Sequence, residues 1–272
     1  MASCGQKDFT NMEQTPEIWK RMNVKYTVMP GDSIQSAIKN YTPQQQKIIM
    51  SVNRADMSNL AKLDTVIIPD ALDGQVAQYL PFPQHVPAIK DIKKIVYFSY
   101  PSQTFAAYEN GWLAYTGPTS MGRKNDPTPA GLYFANWKAE ETISTFNDEW
   151  ELKWNFNIEN KEGIGWHQYS LPGYPASHSC LRMLEEDAKH MYQWADEWEL
   201  KGTDNVLAKG TPVIVFGTYP FDGKKPWLHN INNPRALDIS AGELEKVTKP
   251  YLNEILKEQQ NTAAVKAKAA TK

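Results

Sequence analysis

The reading of this chain turns on Gly165-Trp166-His167 and, a few residues on, Ser177-His178-Ser179-Cys180-Leu181-Arg182-Met183. Cys180 is one of only two cysteines in 272 residues, with one histidine directly upstream at 178 and another at 167. A thiol is only a few per cent ionised at neutral pH and needs a base or an electropositive setting to attack a carbonyl. Either histidine is a candidate for that base. The acidic run Glu185-Glu186-Asp187 predicts the first turn of a helix, whose dipole would favour a thiolate at its N-terminus.

Working outward, the chain is long enough for two domains and at least one sizeable core. Its net charge of −2 gives no basic field for nucleic acid or an anionic membrane. With 41% hydrophobic residues, nine Trp and thirteen Tyr, it has the make-up of a folded, aromatic-rich protein. No apolar run approaches the roughly 18 residues of a membrane span. Two cysteines make no disulfide framework, and pairing Cys4 with Cys180 would consume the candidate nucleophile. The small residues of Met1-Ala2-Ser3-Cys4-Gly5 admit two readings: an ordinary irregular start, or the end of a bacterial lipoprotein signal with Cys4 as the lipid attachment point.

Residues 1–23 are polar and irregular, with one helical turn expected at Pro16-Glu17-Ile18-Trp19. A strand at Lys25-Tyr26-Thr27-Val28, a Pro30-Gly31-Asp32 turn, helices over 33–40 and 43–52, and a strand at Thr65-Val66-Ile67-Ile68-Pro69 follow. This βααβ order, with Tyr-Thr-Val-x-Pro-Gly-Asp-Ser-Ile at its front and Asn53 at its middle, resembles a LysM domain over residues 24–70. The resemblance implies binding of N-acetylglucosamine-containing glycans such as peptidoglycan; a packing module without glycan affinity has the same element order.

Residues 71–91, with Pro81, Pro83 and Pro87, are expected to form a semi-rigid linker. From 92 onward, runs of β-favouring residues at 95–98, 104–108, 111–115, 131–134 and 212–217 predict a mainly β domain to residue 219. Asn110-Gly111 marks a hairpin. Ala188, Met191, Tyr192, Ala195 and Trp198 predict a core-facing helix over 184–200. The aromatic segment 138–163, with Trp150 and Trp154, predicts a hairpin or flap. In the C-terminal extension, 220–272, Ser240-Ala241-Gly242-Glu243 opens a helix to about Glu258, and the tail beyond is expected to fray.

Residues 92–219 resemble the L,D-transpeptidase (YkuD-like) family, whose signature is a histidine, a spacer, then Ser/Thr-His-Gly-Cys with Arg or Asn two residues later. Here it runs His167, a spacer, then Ser177-His178-Ser179-Cys180-Leu181-Arg182. A second family feature, a Ser/Thr-x-Gly turn ahead of Thr-Pro-x-Gly, matches Ser120-Met121-Gly122 and Thr128-Pro129-Ala130-Gly131. The implied fold class is α+β: a small βααβ module, then a β sandwich with a helix after the cysteine, then a helical extension.

The resemblance further implies Cys180 as nucleophile, His167 as its base, and a backbone carbonyl near Gln168 as the group orienting the imidazole. The amides of His178, Ser179 and Cys180 would receive the oxyanion. Arg182, Ser177, Trp166, Tyr169, Met121 and Gly122 would bind substrate. Ser179 departs from the family's glycine, so its amide is expected in ordinary φ/ψ space.

The reaction implied is cross-linking of peptidoglycan stem peptides in the cell envelope or periplasm, bearing on cell-wall biogenesis and cell shape. The implied partners are stem peptides and glycan strands, with a cell-wall-linked lipoprotein as a further one, and no metal or organic cofactor. An L,D-carboxypeptidase or amidase, or a catalytically silent peptidoglycan-binding protein, would carry the same residues. Against these stand blander readings: a lone cysteine is often a buried structural thiol, and His178 suits a hydrogen-bonding role as well as acid–base work. His85, His190 and His229 fit no ligand spacing, and Ser170 and Ser177 lack a nucleophile elbow.

Overall fold

The computed structural model describes residues 18–143 and 151–270. Cys4, Pro16, Glu17 and Trp150 lie outside these, while Ile18 and Trp19 are irregular.

The N-terminal unit comprises β1 (Tyr26–Met29), α1 (Gly31–Ala37) with a 3-10 turn after it, α2 (Pro43–Asn53), α3 (Met57–Leu60) and β2 (Val66–Pro69), with β1 and β2 antiparallel. Helix α2 starts where Thr42 Oγ1 accepts from the Gln45 amide and Gln45 Oε1 accepts from the Thr42 amide, a reciprocal cap ahead of a proline whose missing N–H costs nothing there. Asn53 ends it and holds the unit together. Its side chain donates to the Ile49 and Ile67 carbonyls (both 2.8 Å) and accepts from the Ile67 amide (2.9 Å). Ile34, Ile49, Leu60, Val66 and Ile68 fill the small core.

The larger unit is a sandwich. Strands β3 (Lys94–Ser99), β4 (Thr104–Glu109), β5 (Trp112–Pro118) and β6 (Gly131–Phe134) join the late strand at Pro212–Phe216 in one sheet. Strands β7 (Lys138–Ile143), β8 (Glu151–Glu159), β9 (Ile164–Gln168) and β10 (Leu181–Met183) form the other, followed by α4 (Glu185–Trp194). A small hairpin, β11 (Glu199–Lys201) and β12 (Asn205–Ala208), precedes the late strand, β13. The first sheet has the order β5-β4-β3-β13-β6 and the second β10-β9-β8-β7.

The middle of β3, Ile95-Val96-Tyr97-Phe98, is apolar and aromatic because it is covered on both faces. Val96, Phe98, Val213 and Val215 point between the sheets, meeting Phe156, Trp166, Leu181 and the α4 residues Ala188 and Met191. On the opposite face, Ile95, Tyr97, Ile214 and Phe216 pack beneath Phe82, Val86, Ile89, Leu244 and Ile255. Asn110 and Gly111 both have positive φ (47° and 81°), the turn whose twist suits a two-residue hairpin.

Several expectations change. Residues 71–91 are not a spacer: Leu80, Phe82, Val86 and Ile89 are buried, so this proline-marked stretch is part of the cover of the first sheet. Helix α4 stops at Trp194, leaving Trp198 beyond it. After 220 there are two helices, α5 (Ala241–Thr248) and α6 (Leu252–Ala270), joined through Lys249-Pro250-Tyr251. The tail is thus helical from Glu258 through Ala270, and its root is held where Ile255 is buried and Lys209 Nζ meets Glu254 at 2.8 Å.

Arg54 crosses between these parts. It is wholly buried, left-handed (φ 56°), and donates to the carbonyls of Ser102 (2.8 Å), Ser51 (2.7 Å) and Val52 (2.9 Å), with its guanidinium 5.6 Å from the Trp227 ring. Burial lowers its pKa to about 9.

Candidate active site

His167 lies on β9 and Cys180 immediately before β10, and these two strands run parallel with Leu181 opposite Trp166 and Arg182 opposite His167. Because side chains alternate along a strand, His167 and Arg182 share one face while Trp166 and Leu181 share the other. Cys180 stands just before β10, two residues from Arg182. The core face anchors the pair: Trp166 lies 4.7 Å from Phe156 and 6.4 Å from Phe98, ring centre to centre. This burial fixes the strand and, by the pleat, the direction of His167.

His167 is nearly enclosed. Its Nδ1 lies 2.9 Å from the Gln168 carbonyl. A carbonyl can only accept, so Nδ1 carries the proton and Nε2 is left as the basic atom. Burial drives its pKa down to about 4, against the lift from that carbonyl, and Arg182 adds to the lowering. Cys180 is half-buried, and burial pushes its thiol up, opposed by the Gly165 amide and by Arg182. Its Sγ donates weakly to the Gly163 carbonyl at 3.7 Å. Among the described residues no hydrogen bond joins Sγ to the His167 ring, and the pair rests as thiol and neutral imidazole.

The cysteine loop is tied to the Ser120-Met121-Gly122 turn. Arg182 and Ser120 exchange backbone hydrogen bonds (3.0 and 3.1 Å), Ser177 N donates to Met121 O (3.0 Å), and Arg123 N donates to Ser177 O (2.9 Å). Ser177 Oγ closes the loop on the Cys180 carbonyl at 2.5 Å. Thr128 Oγ1 accepts from the Gly122 amide (2.9 Å) and donates to the Ser179 carbonyl (2.8 Å). Gly122 permits this approach, since a Cβ there would lie 2.3 Å from the Asp126 carbonyl oxygen. Gln103 supports the turn from beneath, accepting from the Met121 amide at 2.8 Å.

Ser179 does not lie in ordinary φ/ψ space. Its φ is 75°, in the left-handed region that a glycine would enter freely. The Ser179 hydroxyl, 3.3 and 3.2 Å from the carbonyls of Asp126 and Pro127, and the Thr128 bond hold it there. Such a conformation costs a non-glycine residue about 1–2 kcal/mol.

The other sequence-predicted residues divide. The Arg182 guanidinium lies 4.5 Å from the Tyr169 ring, and Tyr169 stands edge-on to His167 at 5.9 Å. Trp166 and Met121 have no exposed surface, so their side chains cannot touch a substrate; they are supports in the core. Ser177 is also buried and serves the loop. His178 joins a polar group with Asp126 (3.6 Å) and Arg123 (3.4 Å). The N-terminus of α4 is not at Cys180, because β10 and Leu184 intervene. Beside Tyr169, a groove of about 670 Å³ opens between α2–α3 and the start of α4. Among the described residues no group of three His, Cys, Asp or Glu could hold a metal, and no helix is long and apolar enough to cross a membrane.

Sequence reasoning missed Gly163, Gln103, the role of the Gly165 amide, and the contacts that Asp56 and Asn59 make with Ser170 and Leu171. None had a local signal.

Residues 93–215 match the family model for the L,D-transpeptidase catalytic domain, YkuD. No curated protein matches the chain. Among solved structures, an L,D-transpeptidase from Stackebrandtia nassauensis is 23% identical, with a TM-score of 0.38 over 47% of this chain and 57% of that one. One from Mycobacterium smegmatis is 20% identical (TM-score 0.37; 46% and 59%), and one from Enterococcus faecium 22% identical (0.37; 46% and 50%). The chain thus spans half to three-fifths of the length of these structures.

Proposed function

Proceeding from an L,D-transpeptidase catalytic domain of the YkuD type at residues 93–215, we propose that this protein acts on peptidoglycan stem peptides through a thioester on Cys180. The reading is carried by one observation: His167 and Arg182 face one another across the parallel β9–β10 pair beside Cys180, with His167 Nδ1 capped by a carbonyl and Nε2 left basic.

His167 then takes the thiol proton, and the sulfur attacks the carbonyl of the diaminopimelate residue of a tetrapeptide stem. Amides of the 178–180 turn receive the oxyanion, a contribution of roughly 3–4 kcal/mol per donor. The C–N bond to the terminal D-alanine breaks, and His167 returns its proton to the leaving amine. The amine of a second stem attacks the thioester, loses its proton to His167, and releases the thiol with a 3→3 cross-link. Arg182 holds a substrate carboxylate or the loop itself. Water in place of the amine would make the outcome an L,D-carboxypeptidase.

The N-terminal unit, LysM-like in its sequence over 24–70 though with the extra turn α3, would hold glycan, and the groove beside Tyr169 falls within the volume range of ligand sites. This assigns the protein to the cell envelope. The test is incubation with purified muropeptides, read by mass spectrometry. Cross-linked dimers are expected; tripeptides alone would mean hydrolysis. The resting geometry also favours a second reading, a silent wall-binding protein, since Sγ bonds to Gly163 and burial keeps the pair neutral. Neither product forming would establish it.

A further inference from the structure

The chain between His167 and Cys180 is held by the N-terminal unit, more than a hundred residues away in sequence. The amide of Leu171 donates to Asp56 Oδ2 at 2.7 Å, and the amide of Asp56 donates back to the Leu171 carbonyl at 3.0 Å. Ser170 Oγ donates to the same carboxylate oxygen (3.2 Å) and accepts from Asn59 Nδ2 (2.7 Å). Ala55 bridges Pro172, and the Gly173 amide donates to the Arg54 carbonyl at 3.1 Å. Ser58 and the Asn59 amide hold the carboxylate in place (2.7 and 3.0 Å). Burial would raise the pKa of Asp56, but these donors together bring it below the ordinary value.

The clamped segment touches both charged or basic groups of the site. The Gln168 carbonyl fixes the His167 tautomer, the Tyr169 ring underlies Arg182, and the Ser170 carbonyl lies 3.5 Å from Arg182 Nη1. Tyr169 N is bonded to Met183 O at 3.2 Å, so only a few peptide units separate the clamp from the groups it would aim.

We propose that Asp56 is a positioning residue for the chemistry at Cys180: it fixes residues 168–171, and through them the His167 tautomer and the Arg182 guanidinium. This inference rests on the proposed catalytic reading. The N-terminal unit then completes the active site as well as contributing any affinity of its own.

The test uses the full chain with Asp56→Asn, which can keep the α3 cap through Oδ1 while removing the acceptor for the Leu171 amide. Ser170→Ala is the milder cut. The readout is the rate of Cys180 alkylation by iodoacetamide as a function of pH, with His167→Ala as reference and thermal unfolding as the measure of fold. Asp56→Asn is expected to slow alkylation at pH 7 about tenfold, as displacements of an ångström or less do. Its pH profile should move toward that of His167→Ala while the unfolding midpoint stays within a few degrees of wild type. An unchanged profile in Asp56→Asn overturns the proposal, as does a slower rate with an unchanged profile. Should Asp56→Asn fail to fold, Ser170→Ala decides on the same criteria. If His167→Ala itself alkylates like wild type, the catalytic reading falls; if only the Asp56 and Ser170 variants do, the reading stands and the positioning role alone fails.

Discussion

The β3–β4–β13 sheet and the segment 168–180 are built by different means. The sheet is fixed by burial: both faces of β3 are covered, and its aromatic and β-branched residues leave almost no surface in water. The segment is fixed by single polar contacts from far along the chain, from Asp56, Ser120 and Thr128. Burial is spread over many residues and tolerates small changes. A geometry resting on a few hydrogen bonds does not.

The widest separation should come from paired variants, one in each region. Cys180→Ser should lower product formation at least about a thousandfold, as removal of a nucleophile does. It should leave the urea midpoint nearly unchanged, because the half-buried sulfur makes only weak polar contacts, with the Gly163 carbonyl and the Gly165 amide. Trp166→Ala should cost about 3–5 kcal/mol of stability in the same urea titration, since a fully buried indole leaves a large cavity. A comparable stability loss in both would erase the contrast.

The second test sharpens it with pH. His167 is neutral when folded, its pKa lowered to about 4 from 6.5. Between those values the unfolded chain binds the extra proton, so stability falls as pH drops through the window and is fully present above 6.5. The contribution at stake is about 3 kcal/mol. Unfolding free energies of wild type and His167→Gln from pH 7 to pH 4 should converge by roughly that amount; parallel curves would show that the imidazole is not buried as described.

The smallest effect concerns Ser179. Replacing it with glycine relieves its positive φ but loses two long hydroxyl contacts and adds freedom to the unfolded chain. A net gain of about 0.5–1 kcal/mol in thermal or urea unfolding is expected. A loss would mean that the hydroxyl contacts outweigh the strain.

The same contrast explains what could be read from the sequence. The sheet strands announce themselves as runs of β-favouring residues, the hairpin as Asn-Gly, and helix α2 as a helical run opening at Thr42-Pro43. Cys180 and His167 were visible as a motif. The strands that position them were not: β9 and β10 are short, and their pairing crosses a loop with no period of its own. The positive φ of Ser179 ran against residue type because tertiary contacts from Thr128, Asp126 and Pro127 supply what glycine would have given for nothing. Residues 71–91 looked like a spacer because proline spacing says nothing about which surface an extended chain lies on.

Arg54 bears on modularity. Its guanidinium reaches the β3–β4 turn at Ser102 and the ring of Trp227 while its backbone ends α2. A cut between the first seventy residues and the remainder would take the Ser102 carbonyl and the Trp227 ring from this cation and return it to water. Both sides of such a cut therefore share one buried cation. Swapping in a foreign N-terminal piece would require a new solution for that enclosed charge, a barrier to shuffling that an architecture joined by an open tether would not face.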